Sequence, residues 1–260
     1  MMRSLWTAAT GMVAQQLNID VLSNNLANVN TSGFKKSRAE FEDLMYQTMK
    51  IAGSATDGDN TIPVGIQVGM GVRPTAVHKF FSQGDFQNTG NALDIAIEGE
   101  GFFQVEVGDQ LMYTRAGAFK LNQDGTIVTA NGYVLQPEFA VPAETKSLSI
   151  SETGRISALD ANGDEIAGAD LPLYTFINPA GLDARGRNLY VPSEASGDAE
   201  EGVPGTDNVG TLAQGFLEMS NVEVVDEMVT MIVGQRAYEM NSKAIQTSDS
   251  MLQTAVNLKR

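Results

Sequence analysis

The sequence predicts an α+β protein in which long N- and C-terminal helices form a coiled coil and a β-rich central domain is inserted between them. Three observations carry this prediction. Apolar residues repeat every seven positions at both ends, short alternating runs separated by turn dipeptides fill the middle, and charge is segregated along the same boundaries. Of the net charge of −15, residues 51–210 hold −14, whereas residues 1–50 hold +1 and residues 211–260 hold −2. The chain therefore divides into an N-terminal helix over 1–34, a connector over 35–70, a β-rich domain over 71–210 and a C-terminal helix over 211–260 that packs with the first.

In the first segment Leu5, Met12, Ile19 and Leu26 lie seven apart, and Ala8, Gln15, Leu22 and Val29 form a second row offset by three. Such rows are the a and d seam of a coiled coil, with Gln15 as a polar interruption. Ser4 is placed to cap the start, and Asn24, Asn25, Asn28, Asn30 and Gly33 mark the end. In the last segment Ser220-Asn221-Val222-Glu223 has the form of a capping box. Val224, Met231, Tyr238, Ile245 and Leu252 then recur every seven residues, with Met228, Gln235, Ser242, Asp249 and Val256 as the partner row. Seams this polar need further neighbours to be stable. Gly11 and Gly234 each cost about 1 kcal/mol relative to alanine in a helix interior, which predicts a close backbone approach at both. Heptads do not say how many chains take part, so an intramolecular helix hairpin and assembly across copies both fit.

The connector is harder to read. Phe41, Leu44, Met45 and Thr48 suit a short helix, and Gly53 to Pro63 is polar and rich in turn formers. Beyond it, alternating runs predict strands at 93–97, 102–107, 111–114, 126–130, 133–135, 148–150, 155–159, 173–177 and 189–191. Asp124-Gly125 and Asn131-Gly132 supply hairpin turns. Many short strands at this spacing predict an antiparallel barrel or sandwich, with residues 192–210 as a surface loop leading to the last helix.

Composition excludes much chemistry. There is no cysteine, which removes disulfides, thiolate metal sites and cysteine nucleophiles, and there is one histidine, His78. His78 has no second His or Cys to complete a common metal or acid–base constellation and reads as a surface or packing residue. Asp160, Asn162 and Asp164 alternate oxygens as calcium loops do, but Glu165 stands where an EF-hand needs glycine. Gly69-Met70-Gly71 lacks the third glycine of a dinucleotide loop, and no P-loop or G-x-S-x-G elbow occurs. No catalytic, cofactor-binding or metal residues are assigned, and the protein reads as no enzyme. An acidic middle opposes nucleic-acid phosphates, and no apolar run is long enough for membrane insertion as a helix. Arg3 precedes a weakly apolar stretch, Leu5 to Ala14, that continues as a patterned helix, so a cleaved signal peptide is not expected.

The segments Asn24-Asn25-Leu26-Ala27-Asn28-Val29-Asn30-Thr31-Ser32-Gly33-Phe34-Lys35 and Gln235-Arg236-Ala237-Tyr238-Glu239-Met240-Asn241-Ser242-Lys243 do more than fit a pattern. They resemble the signature ends of the bacterial flagellar rod and hook axial proteins, and Gly101-Phe102-Phe103-Gln104-Val105 and Tyr113-Thr114-Arg115 also look like that family. The resemblance covers nearly the whole chain. Its length, Ser4-Leu5-Trp6 and Phe41-Glu42-Asp43-Leu44-Met45-Tyr46-Gln47-Thr48 look most like the distal-rod branch; a proximal-rod sibling is the nearer rival, and hook proteins are usually longer. The stretch between Lys50 and Val68 resembles an insertion associated in the family with a straight, stiff tube.

The resemblance implies a self-assembling subunit of a hollow drive shaft, with both ends lining the inner tube and the β-domain outside. Its implied partners are further copies of itself, proximal-rod proteins, the hook protein, the surrounding P- and L-ring bushing and the flagellar type III export apparatus. The implied location is the basal body, from the periplasm to the outer membrane, reached without a cleaved signal peptide. The expected subunit interface is Leu5, Met12, Ile19, Leu22 and Leu26 against Val224, Met231, Tyr238, Ile245 and Leu252 and against adjacent subunits. A periplasmic β-fold hydrolase, which needs a cleft with perturbed carboxylates, and a coiled-coil adhesin or secreted binding module, which needs a closed stoichiometry, are the competing classes.

Overall fold

A computed structural model describes residues 2–52, 63–108, 110–161, 163–206 and 209–258. The chain opens with a helix, α1 (Met2–Ala27), closes with another, α2 (Val224–Asn257), and is β-rich between them. It separates into a helical unit, from Met1–Leu26, Ser37–His78 and Glu223–Arg260, and a β unit, from Ala27–Lys36 and Lys79–Val222.

Both helix starts differ from expectation. Ser4 sits inside the first turn of α1, not at its cap, and its carbonyl accepts from the Thr7 hydroxyl. The capping box does not form: Glu223 is the cap residue and makes no side-chain capping bond. Ser220 and Val222 are buried in the β unit, and the Asn221 side chain is committed to the Phe80 and Ser82 carbonyls at 3.0 and 3.1 Å. Tertiary contacts thus outcompete a local cap worth about 1 kcal/mol.

Among the described residues, four strands lie wholly or almost wholly in the helical unit. Ser37–Asp43 pairs with Val72–Lys79, and Tyr46–Lys50 pairs antiparallel with Ile66–Gly69, Tyr46 lying opposite Gly69. The short helix expected from Phe41, Leu44, Met45 and Thr48 is therefore absent. Aromatic and β-branched side chains favour an extended chain here, and the ladder partner lies too far along the sequence for local spacing to reveal it. Residues 53–62, most of the expected turn-rich stretch, lie outside the described residues.

The β unit is organised around an antiparallel sheet of seven strands, in the order Asp183–Gly186, Leu189–Val191, Gln110–Thr114, Phe103–Val107, Val134–Gln136, Ile127–Thr129, Phe119–Leu121. Gly125 and Gly132, at φ of +78° and +84°, turn the hairpins that join the last three in sequence, as their Asp-Gly and Asn-Gly pairs predict. A second sheet comprises Ser147–Ile150, Arg155–Leu159 and Glu165–Asp170. Asp160-Ala161 and Gly163-Asp164 lie in its second turn, while Asn162 of the weighed calcium loop lies outside the described residues. Residues 192–210 are not all loop, because Glu200–Gly202 pairs with Leu173–Thr175.

The core draws on the predicted apolar runs but is buried on both faces at 95–97 and 102–105, where Ala96 and Gln104 are buried with their neighbours, and it includes Phe119 from a strand that alternation did not reveal. Ile95, Ile97, Phe103, Val105, Phe119, Ile127 and Leu135 are almost fully buried, and the rings of Phe103 and Phe119 meet edge to face at 5.2 Å. A second, aromatic cluster joins Phe102, Tyr113, Phe176 and Tyr190. Packing around Gly117 leaves no room for a side chain, since a Cβ there would collide with the Ile95 carbonyl oxygen. Gly117→Ala is accordingly expected to cost roughly 1–3 kcal/mol, measured by denaturant unfolding; an unchanged midpoint would show that the strands can separate at no cost.

Candidate functional site

Two places gather the residues that sequence analysis singled out. In the helical unit, α1 and α2 run antiparallel and meet along a stripe of small and polar residues. The Ser4 and Ser248 hydroxyls lie 3.3 Å apart. A Cβ on Gly11 would sit 2.8 Å from Asn241 Nδ2, and one on Gly234 would sit 3.5 Å from Gln15 Oε1 and Ile19 Cγ1 and 3.8 Å from Asn18 Nδ2. Asn25 donates to Glu227 Oε2 at 3.3 Å and also clasps the Ser37 backbone through both amide atoms. Ser4, Gly11, Asn18 and Asn25 thus ascend α1 by sevens while Ser248, Asn241, Gly234 and Glu227 descend α2 by sevens. The expected close backbone approach is not what the glycines meet: Gly11 faces the Asn241 side chain closely enough that a Cβ would displace it, whereas Gly234 faces the Gln15, Ile19 and Asn18 side chains at ordinary contact distance.

This geometry corrects the expected partner row. Gln235 and Asp249 are exposed, as are Met228 and Val256 at 49% and 69%. The inward row stands three residues beyond Met231, Tyr238 and Ile245, not four: Gly234 and Ser248, small enough for a neighbour to approach closely, are the buried residues of α2. Of the expected apolar seam, Leu22 is buried; Leu5, Met12, Ile19, Leu26, Met231, Ile245 and Leu252 are half-buried; Val224 and Tyr238 are 40% exposed. Beside them Trp6, Val13, Val225, Val229, Ile232, Val233 and Met240 are open to solvent. Apolar faces of this extent mark surfaces that another molecule covers.

The second place is in the β unit, where the rest of the N-terminal motif enters. Gly33 is buried at φ +69°, with the Ala116 backbone against it, and Phe34 is half-buried. Lys35, fully buried, donates to Glu218 Oε1 and to the Ser82 carbonyl, both at 2.7 Å. Arg115 donates to the other oxygen of Glu218 at 2.6 Å and to the Gly101 and Gly99 carbonyls at 2.7 and 2.5 Å. Burial, the largest influence, draws the Lys35 ammonium below its ordinary pKa, with Glu218 opposing and Arg115 reinforcing that effect. Burial alone would raise Glu218, but Arg115 and Lys35 outweigh it and hold the carboxyl below the usual carboxylate value. Burial, and then the charge of Glu218, push the nearby Tyr190 phenol up to about 12.

Sequence reasoning quoted Lys35 and Arg115 inside motifs but assigned neither a role, and it missed Glu218. The local sequence offered little signal, since Lys35 is followed by a second lysine, Lys36, and Glu218 is one of 32 acidic residues. The remaining motif residues divide. Asn25 is buried and Asn28 accepts from the Thr31 hydroxyl at 3.2 Å, whereas Asn24 and Ala27 are exposed. Gln235 and Arg236 point outward, Arg236 meeting Glu239 at 3.4 Å, and Ala237 is half-buried. Among the described residues no three His, Cys, Asp or Glu side chains are grouped to hold a metal ion.

A helix at each end of the described chain with a β-rich middle between them, small and polar residues where the helices meet and several large apolar side chains exposed on them, is the arrangement of a structural protein rather than of a catalytic cleft. Sequence profiles agree along the chain: residues 5–35 match that described as Flagella basal body rod protein, residues 96–158 the Flagellar hook protein FlgE/F/G D1 domain, and residues 213–258 the Flagellar basal body rod FlgEFG protein C-terminal. The flagellar basal-body rod protein FlgG of Borreliella burgdorferi is 50% identical over all of both chains. Those of Caulobacter vibrioides and Bacillus subtilis are each 44% identical, over 99% and 100% of this chain and all of theirs. A flagellar hook protein of Helicobacter mustelae is 47% identical over 52% of this chain and 30% of its own. The chain belongs to the flagellar basal-body rod protein family and is a structural subunit of the basal body.

Proposed function

We propose that this chain builds the distal segment of the rod, stacking helically on copies of itself into a rigid hollow tube that carries motor torque to the hook. The observation that carries this reading is the division of labour on the helices: small and polar residues meet within the chain, so the apolar residues are available to neighbours. α1 and α2 then act as a two-stranded coiled coil whose outward faces pack on adjacent subunits. The role is structural and not catalytic. The proximal-rod proteins and the hook protein adjoin the two ends of the tube, the P- and L-rings surround it between periplasm and outer membrane, and the flagellar type III apparatus delivers the chain. In the free chain the helical ends are largely unfolded, since ordering them without neighbours buries too little apolar surface to offset the entropy.

The absence of cysteine permits a direct test. In assembled rods, Ser4→Cys combined with Ser248→Cys should cross-link within one chain. Val233→Cys should react with a maleimide in the free chain and be protected in rods; equal reactivity in both states refutes the interface. Electron microscopy of concentrated protein should show long tubes, whereas closed oligomers would favour an adhesin-like module and monomers a hydrolase.

A further inference from the structure

The Lys35–Glu218–Arg115 cluster does more than fill the β unit, because its members come from the two connectors that lead to the helices. Lys35 belongs to Ala27–Lys36, which follows α1, and Glu218 ends the strand Phe216–Glu218, which precedes α2. The same two connectors are joined by the Gly33 amide donating to the Glu218 carbonyl and by the Lys36 amide donating to Asn221 Oδ1, both at 2.8 Å. The Glu218 carboxylate also accepts from the Gly84 amide at 3.0 Å. One anion therefore holds together three chain segments and two cations. Its side chain is 1% exposed, against 0% for Lys35 and 4% for Arg115.

We propose that this cluster is an acid-labile clasp: uptake of one proton by Glu218 releases the two helix connectors from the β unit while the seven-stranded sheet remains folded. The physical basis is an asymmetry of counting. With Glu218 ionised, the two buried cations face one anion plus the Ser82, Ile97, Gly99 and Gly101 carbonyls. With Glu218 neutral they face no anion at all, and two unpaired buried charges drive the site open to water. No other carboxylate among the described residues pairs with either cation. Tyr190, the remaining titratable group close to Glu218, is neutral throughout the acid range, Lys79 lies over its ring at 5.2 Å, and Glu100 lines a cleft of about 60 Å³ beside Arg115. Glu218 is held below its ordinary pKa, so its contribution to stability is complete above the usual carboxylate range and is lost as pH falls through the lowered folded value.

Amide hydrogen exchange on the full chain, corrected for intrinsic rates, tests the clasp. As pH falls below the carboxylate range, the amides of Gly33 and Gly84 should open by up to about tenfold per pH unit, the slope for one proton. The amides of Phe103–Val107 should remain protected over that range. Glu218→Gln should leave Gly33 and Gly84 unprotected at neutral pH and abolish their acid dependence. Should that variant fail to fold, Lys35→Met decides: with one cation fewer to hold Glu218 ionised, opening should begin at higher pH than in the native chain. The proposal is overturned if Gly33 and Gly84 open only together with the sheet, if Glu218→Gln retains the native acid profile, or if Lys35→Met leaves the onset unmoved.

Discussion

Replacing Arg115 by alanine is expected to destabilise the β unit by roughly 3–5 kcal/mol, the range for removing one partner of a buried ion pair. The guanidinium is 4% exposed, meets Glu218 at 2.6 Å and satisfies three backbone carbonyls, the third being that of Ile97 at 3.3 Å. Deleting it leaves Glu218 with half its countercharge and strands those carbonyls in the interior. Arg115→Lys should recover little, because a single ammonium cannot reproduce the planar fork. Calorimetry or guanidinium unfolding gives the measurement. A loss under about 1 kcal/mol, the scale of exposed pairs, would mean that water reaches the cluster and screens its charges.

The second large effect concerns α2. Gly234→Leu should abolish rod assembly and swimming, whereas Gly234→Ala should be tolerated. A Cβ at this position meets Gln15 and Ile19 at ordinary contact distance, so alanine fits and gains about 1 kcal/mol of helix propensity. The further carbons of leucine would have to displace Gln15, Asn18 or Ile19, forcing α2 away from α1 at a cost of about 1–3 kcal/mol in every subunit. A repeated subunit magnifies such a shift, since each copy must present the same outward faces to the next. Normal motility with leucine would show that the close contact is dispensable; loss of motility with alanine would show that the glycine serves a purpose other than proximity.

Much of the candidate site was legible because its signals are local. The heptad rows anticipated an apolar stripe on each helix, along which Leu5, Met12, Ile19, Met231, Ile245 and Leu252 are half-buried, and the cost of Gly11 and Gly234 pointed to a contact at each. The row opposite the α2 apolar positions was misjudged because offsets of three and four both satisfy the period, and only the identity of the facing residue separates them. Glu218 escaped notice for a related reason. A glutamate in an acidic chain carries no mark of burial until Lys35, 183 residues away, is seen beside it.

The sequence alone determined the order helix, β-rich middle, helix, and the hairpins turned by Gly125 and Gly132, because periodicity and positive-φ turns depend on residues a few positions apart. Only the tertiary structure decided that small and polar residues form the seam within the chain, that Tyr46–Lys50 is a strand and not a helix, that Ser220 forgoes its cap, and that Lys35, Arg115 and Glu218 converge. Each of those outcomes is a competition between a weak local preference and a contact from a distant part of the chain, and burial in the folded state makes the distant contact stronger.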